Sequence, residues 1–212
     1  MKTYTVYIFL LFIYILTSYL IIDYRSYEHP KSSLITRIIL YWMAFCIFIG
    51  LYEFLLYFNT DYIISLPKMN KYTPNYWFEN VSVKDIFDHK FWSKGWREYG
   101  EYCDSRYIKP TNLIHYIEIR HAITACFYIY FLYYYFRYNT LNNFFINILL
   151  ILLPSIGLIS TIIYFITLYF HLKKNPIKKG TKFWIYLLIN VPWLIFPALI
   201  LYNGVSMIKP PK

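Results

Sequence analysis

Five apolar runs, each about the length of one bilayer crossing, constrain this chain more than any other feature. A helix crosses ~30 Å of hydrocarbon in about 20 residues. Residues 3–22, 38–58, 112–136, 144–170 and 183–202 all meet that length. Only 15% of the 212 residues are charged, against about 25% in an ordinary soluble domain. The fold class expected is therefore all-α: a polytopic membrane protein, one five-transmembrane-helix bundle with an intramembrane ligand cavity. Short connections (23–37, 137–143, 171–182) alternate with a single large extramembrane segment, 59–111. The first run reads as a retained span, because only Lys2 precedes it and no small-residue cleavage site follows. Pro154 and Gly157 predict a kink in the fourth span, and the fifth holds Pro192 and Pro197.

The formal net charge is +10. A basic balance often signals nucleic acid, but here the cations lie in short clusters between apolar runs, with no zinc-finger spacing and no basic helix. Nucleic acid is excluded as a partner; the lipid bilayer is the expected surroundings. Cys46, Cys103 and Cys126 are far apart and form no CxxC pair, which excludes a disulfide scaffold. Outside the long segment, six cations fall on each side of the membrane; the segment adds eight more and tips the positive-inside rule toward a cytosolic N-terminus. Within it, the run Phe91-Trp92-Ser93-Lys94-Gly95-Trp96 is amphipathic and aromatic, as suits a membrane interface.

Charged groups inside spans cost about 2.5–3.5 kcal/mol on insertion scales and tend to face a cavity or a partner. Glu53 lies deep in the second span. His115, Glu118 and His121 follow at i, i+3 and i+6 in the third and make one helical stripe about 120° wide. A carboxyl one turn from an imidazole is a proton donor and acceptor pair. The same residues also suit a hydrated helix entrance in which Glu118 pairs with Arg120 or a loop cation. H-x-x-E-x-x-H matches no zinc motif, and neither metal nor cofactor is expected. Asn190 and Trp193, at i and i+3 of the last span, offer a buried amide and a face for a cation.

Several short runs resemble the emopamil-binding protein family of EXPERA-type membrane domains. Lys94-Gly95-Trp96-Arg97-Glu98-Tyr99-Gly100, followed by Asp104-Ser105-Arg106-Tyr107-Ile108, is similar to that family's W-K-E-Y-x-x-x-D-S-R-Y-I stretch, with one or two residues more between its halves. Ile123-Thr124-Ala125-Cys126 resembles its I-T-A-C run. Trp42, Ala44, Cys46, Phe48 and Ile49 match the preceding span, and Phe183, Trp184, Asn190, Trp193 and Pro197 the last one. The resemblance covers about residues 36–208.

What the resemblance implies is a sterol Δ8–Δ7 isomerase-like enzyme of the endoplasmic reticulum. Such an enzyme protonates a ring double bond, passes through a carbocation and removes a neighbouring proton without a cofactor. Glu53, Glu118 and His121 would carry acid/base chemistry and Asn190 would orient a carboxyl or water. Trp193, Tyr52 and Thr124 would bind substrate. The mapping is incomplete. Gly50 stands where the family has a His, and Glu53 is one residue short of its Glu. Counting from Ser105-Arg106-Tyr107-Ile108 puts Glu118 in the place of the next catalytic Glu, whereas counting back from Ile123-Thr124-Ala125-Cys126 puts His121 there. A family member that binds a sterol or lipid without turning it over remains an alternative, as does an isomerase or cyclase acting on another polycyclic terpenoid. A protonated amine mimics the carbocation, so cationic amphiphiles are expected inhibitors. A homodimer is compatible with all of these.

Overall fold

The computed structural model describes residues 1–24, 33–68, 76–138, 141, 143–176 and 180–208, without the side chains of 24 and 204–208. The loop expected at Thr73-Pro74 lies outside the described residues, as do Arg25, Lys31, Lys178, Lys179, Lys209 and Lys212 of the charge count. Helices make up the described elements: α1 Thr3–Tyr19, α2 Leu34–Phe58, α3 Thr60–Ser65, α4 Val83–Ile86, α5 His89–Tyr102, α6 Asn112–Tyr138, α7 Phe144–Lys174, α8 Thr181–Ile189 and α9 Pro192–Ile208.

Four segments are long and apolar enough to cross a membrane: Thr3–Asp23, Leu34–Phe58, Phe144–Lys174 and Thr181–Asn203. The third expected span, α6, is 27 residues long, which at 1.5 Å per residue is about 40 Å. Its length suffices, but it is too polar to join the four: Asn112, His115, Glu118, Arg120 and His121 lie in its first half, and tyrosines and Arg137 in its second. Side chains that cap the helix starts explain some of the boundaries. Ser33 accepts from the Thr36 N–H at the start of α2, and Asn143 accepts from Phe145 and Ile146 at the start of α7. The last span is two helices, because Pro192 cannot continue α8; the chain turns at Asn190-Val191.

The antiparallel pair α2–α6 forms the centre. Thr60 meets His115 near the long segment, with Oγ1 to Nε2 3.1 Å. Going up the pair, Glu53 meets His121 and Gly50 meets Ala125. Helices α7 and α9 form a second closely packed pair against it. Pro154 lies inside α7 as expected. The hydroxyls of Ser155, Ser160, Thr161 and Thr167 bond to carbonyls four residues earlier in their own helix. One apolar cluster fills the far half of the bundle around Trp42, Met43, Phe131 and Leu150. Another fills the near half around Trp96, Tyr99, Tyr107 and Tyr164.

The long segment folds back onto the bundle. Met1 and Thr3 exchange backbone hydrogen bonds with Glu79 and Val81, which fixes the start of α1 and this segment on one side. Helix α5 departs from the expected interfacial role. It is amphipathic, but Phe91, Trp96 and Tyr99 are buried against protein, not laid on lipid. The reason lies in its polar partners. Glu98, wholly buried, accepts from the Tyr76 N–H and from Lys182 at the start of α8. Arg97 pairs with Glu101 at 2.9 Å.

Candidate functional site

Glu53 on α2 and Glu118 and His121 on α6 converge. His121 Nδ1 lies 3.0 Å from Glu53 Oε2 and 3.8 Å from Glu118 Oε2. All three residues are buried, at 5%, 2% and 7% exposure. Two features of the chain produce this. The i, i+3 spacing puts Glu118 and His121 one turn apart on one face. Gly50, one turn before Glu53, lets the helices close: a Cβ there would stand 2.7 Å from Ala125 Cβ. Gly50 thus sets the helix approach.

The three donor atoms lie within 4.8 Å of one another. An imidazole and two carboxylates are a ligand set that suits a divalent cation. They are equally a proton-exchange set. Glu53 Oε2, Glu118 Oε2 and both nitrogens of His121 make no well-aligned hydrogen bond among the described residues. Their hydrogen-bonding capacity is open toward one another and toward a small polar guest.

Glu118 has a further partner that sequence reasoning did not single out. The Tyr107 hydroxyl donates to Glu118 Oε1 at 2.5 Å. Burial pushes the Tyr107 phenol well above its usual range, so it stays a donor. The signal was present in Asp104-Ser105-Arg106-Tyr107, which serves as a staple. Arg106 forks onto Asp104, with Nη2 to Oδ2 2.7 Å, and reaches Thr167 on α7 with Nη1. Ser105 meets His171 Nε2 at 2.7 Å. These contacts hold the turn rigid and aim Tyr107 at Glu118. Trp96, sandwiched between the Tyr52 and Tyr107 rings, supports it.

Trp193 covers the other side of the site. Its indole stacks on the His121 ring at 4.3 Å and 20°, and meets Trp42 edge-on at 5.0 Å. Thr124, Arg120, Gly157 and Pro197 line the same space. That space encloses about 20 Å³, room for one water and far below the ~300–1,000 Å³ of small-molecule pockets. The intramembrane ligand cavity expected from the sequence is water-sized at this point, because Trp42, Trp193 and Phe196 fill the seam between α2 and α9.

Two expected site residues sit elsewhere. Asn190 donates to the Tyr99 hydroxyl at 3.0 Å and to the Tyr186 carbonyl at 2.8 Å. It reaches Glu118 only through the Tyr99–Tyr107 ring contact at 4.7 Å. Tyr52 stacks on Trp96, and its carbonyl accepts the indole N–H; it does not line the space beside Trp193. Both side chains organise the wall behind Tyr107. Comparison of the chain with protein-family models, with curated proteins and with solved structures returns no match.

Proposed function

We propose that this chain is a membrane enzyme of sterol-isomerase type, with α6 as the fifth span beside the four apolar ones. The observation that carries the reading is the convergence of Glu53, Glu118 and His121 under the indole of Trp193. Moving a ring double bond needs a buried proton donor, a base on the other side of the departing proton, and an aromatic face for the cation between them. A carboxylic acid of the cluster gives its proton to one alkene carbon, leaving a carbocation. A basic atom of the same cluster takes the proton from the neighbouring carbon, and the double bond re-forms one position along. The protons balance, so no cofactor enters. Tyr107 holds Glu118 in place, and the stacked Trp193 fixes the plane of His121.

A sterol enters this site only if α7–α9 draws away from α2–α6. Pro154 and Pro197 line the space at that boundary. The resemblance, not a targeting feature, supports placement in the endoplasmic reticulum. Cationic amphiphiles are proposed ligands, the ammonium lying between a carboxylate and Trp193. A second reading, a family member that binds a sterol without turning it over, is favoured by Gly50 in the family's His position and by the small enclosed space. Sterol analysis of an isomerase-deficient host expressing this chain decides between them. Conversion of Δ8 to Δ7 sterols supports the enzyme, and sterol retention without conversion supports the binder.

A further inference from the structure

Arg120 is a half-buried charge of α6 that the acid/base chemistry does not use. It stands beside His121 in sequence, on the wall shared with Trp42 and Trp193. Its Nε and Nη2 are buried and make no hydrogen bond among the described residues. No carboxylate of the described residues lies within ion-pair distance of it. These two atoms form the side-on edge of the guanidinium, whose parallel N–H groups match the two oxygens of a carboxylate. A single hydroxyl fills only half of such a fork. Gly157 on α7 makes the room: a Cβ there would stand 3.2 Å from Arg120 Nη1. A guanidinium with no carboxylate in direct contact is costly among apolar helices; Glu53 and Glu118 act on it only across space, and its Nε–Nη2 edge is left without a hydrogen bond beside the space that Trp42 and Trp193 also line.

We propose that Arg120 receives the carboxylate of an acidic lipid whose apolar body lies along Trp42 and Trp193. The proposal rests on the sterol-site reading and narrows the ligand to an acidic member of that class. The charge-assisted, two-point contact gives the acid its advantage over a neutral analogue of the same shape.

The test uses the full chain in detergent or nanodiscs at a pH where the acid is ionised. The probes are cholenic acid and its C24 alcohol, which share rings and side chain, and binding is read by quenching of tryptophan fluorescence. The acid is expected to bind at least about tenfold more tightly than the alcohol. Arg120→Gln should abolish that preference and leave alcohol binding in place. Arg120→Lys should recover part of it, because the charge returns without the fork. If Arg120→Gln does not fold, Gly157→Ala decides: it keeps the charge but crowds Nη1, and the preference should fall. Equal binding of acid and alcohol overturns the proposal, as does a preference that survives Arg120→Gln or Gly157→Ala. Rejection of the acid by a chain that still isomerises a neutral Δ8 sterol removes the acidic head alone; rejection of both probes together with absent turnover removes the site reading as well.

Discussion

Replacing Gly50 by alanine puts a Cβ 2.7 Å from Ala125 Cβ and 3.3 Å from the His121 carbonyl oxygen. Carbon pairs prefer about 3.5–4.0 Å, so α2 and α6 must separate by about 1 Å at this level. Overpacking of this kind costs about 1–3 kcal/mol. Alanine returns about 1 kcal/mol of helix propensity, which leaves a net loss of about 0–2 kcal/mol. The effect on the site is larger than that on stability. Glu53 is one turn away, and its 3.0 Å approach to His121 Nδ1 widens to about 4 Å, the limit of close charge contact. Turnover should fall by about 10–10²-fold, the scale of a 1 Å misplacement. The decisive assay is a double-mutant cycle on thermal unfolding and turnover with Ala125→Gly, which removes the opposing methyl. The two changes should compensate, with a favourable coupling of about 1 kcal/mol. Additive effects, or a Gly50→Ala protein with full activity, would refute the α2–α6 contact that assembles the site.

Other outcomes follow from the same geometry. Glu118→Gln keeps shape and removes the proton; if Glu118 is the donor, turnover falls by about 10²-fold or more while sterol binding persists. His121→Ala then costs less, and the reverse order in a turnover assay assigns the donor to His121. Tyr107→Phe deprives Glu118 Oε1 of its buried donor and should cost about 1–3 kcal/mol in thermal unfolding. Among the cysteines, Cys126 is exposed whereas Cys46 and Cys103 are buried. Burial also pushes the Cys103 thiol up to about 11, leaving about one thiolate in a thousand at pH 8. Mass-spectrometric alkylation mapping should therefore modify Cys126 first and Cys103 only on unfolding or well above that pH. A lipophilic tertiary amine should displace bound sterol, and Glu53→Gln should weaken that displacement.

The hydrophobic runs made the helices legible, since length and apolarity are local properties. They gave α1, α2 and α7 nearly in full. They did not reveal that Pro192 splits the last span at Asn190-Val191, because a proline inside an apolar run is compatible with either a kink or a break. The Glu118–His121 stripe was equally local. Its meeting with Glu53 was not, since that depends on Gly50 fitting against Ala125 across two helices. Asn190 shows the limit from the other side. Its spacing to Trp193 pointed toward the site, yet the turn between α8 and α9 rotates it onto Tyr99. Tyr107 was hidden for the same reason: the run Asp104-Ser105-Arg106-Tyr107 reads as loop until Arg106 and Ser105 find α7. The burial of α5 depended on Glu98 finding Lys182, 84 residues away, and amphipathicity alone did not distinguish lipid from protein as its apolar partner.

The proposed isomerisation requires proton exchange at the Glu53–Glu118–His121 cluster, and solvent deuterium reads that exchange directly. The purified chain is incubated with a Δ8 sterol in D₂O, and the product is analysed by mass spectrometry. One solvent deuterium per molecule of shifted product is the result the account predicts, with incorporation lost in Glu118→Gln or His121→Ala, whichever removes the donor. Sterol recovered unshifted and unlabelled from folded, sterol-bound protein would contradict it and leave the cluster a structural feature of the bundle.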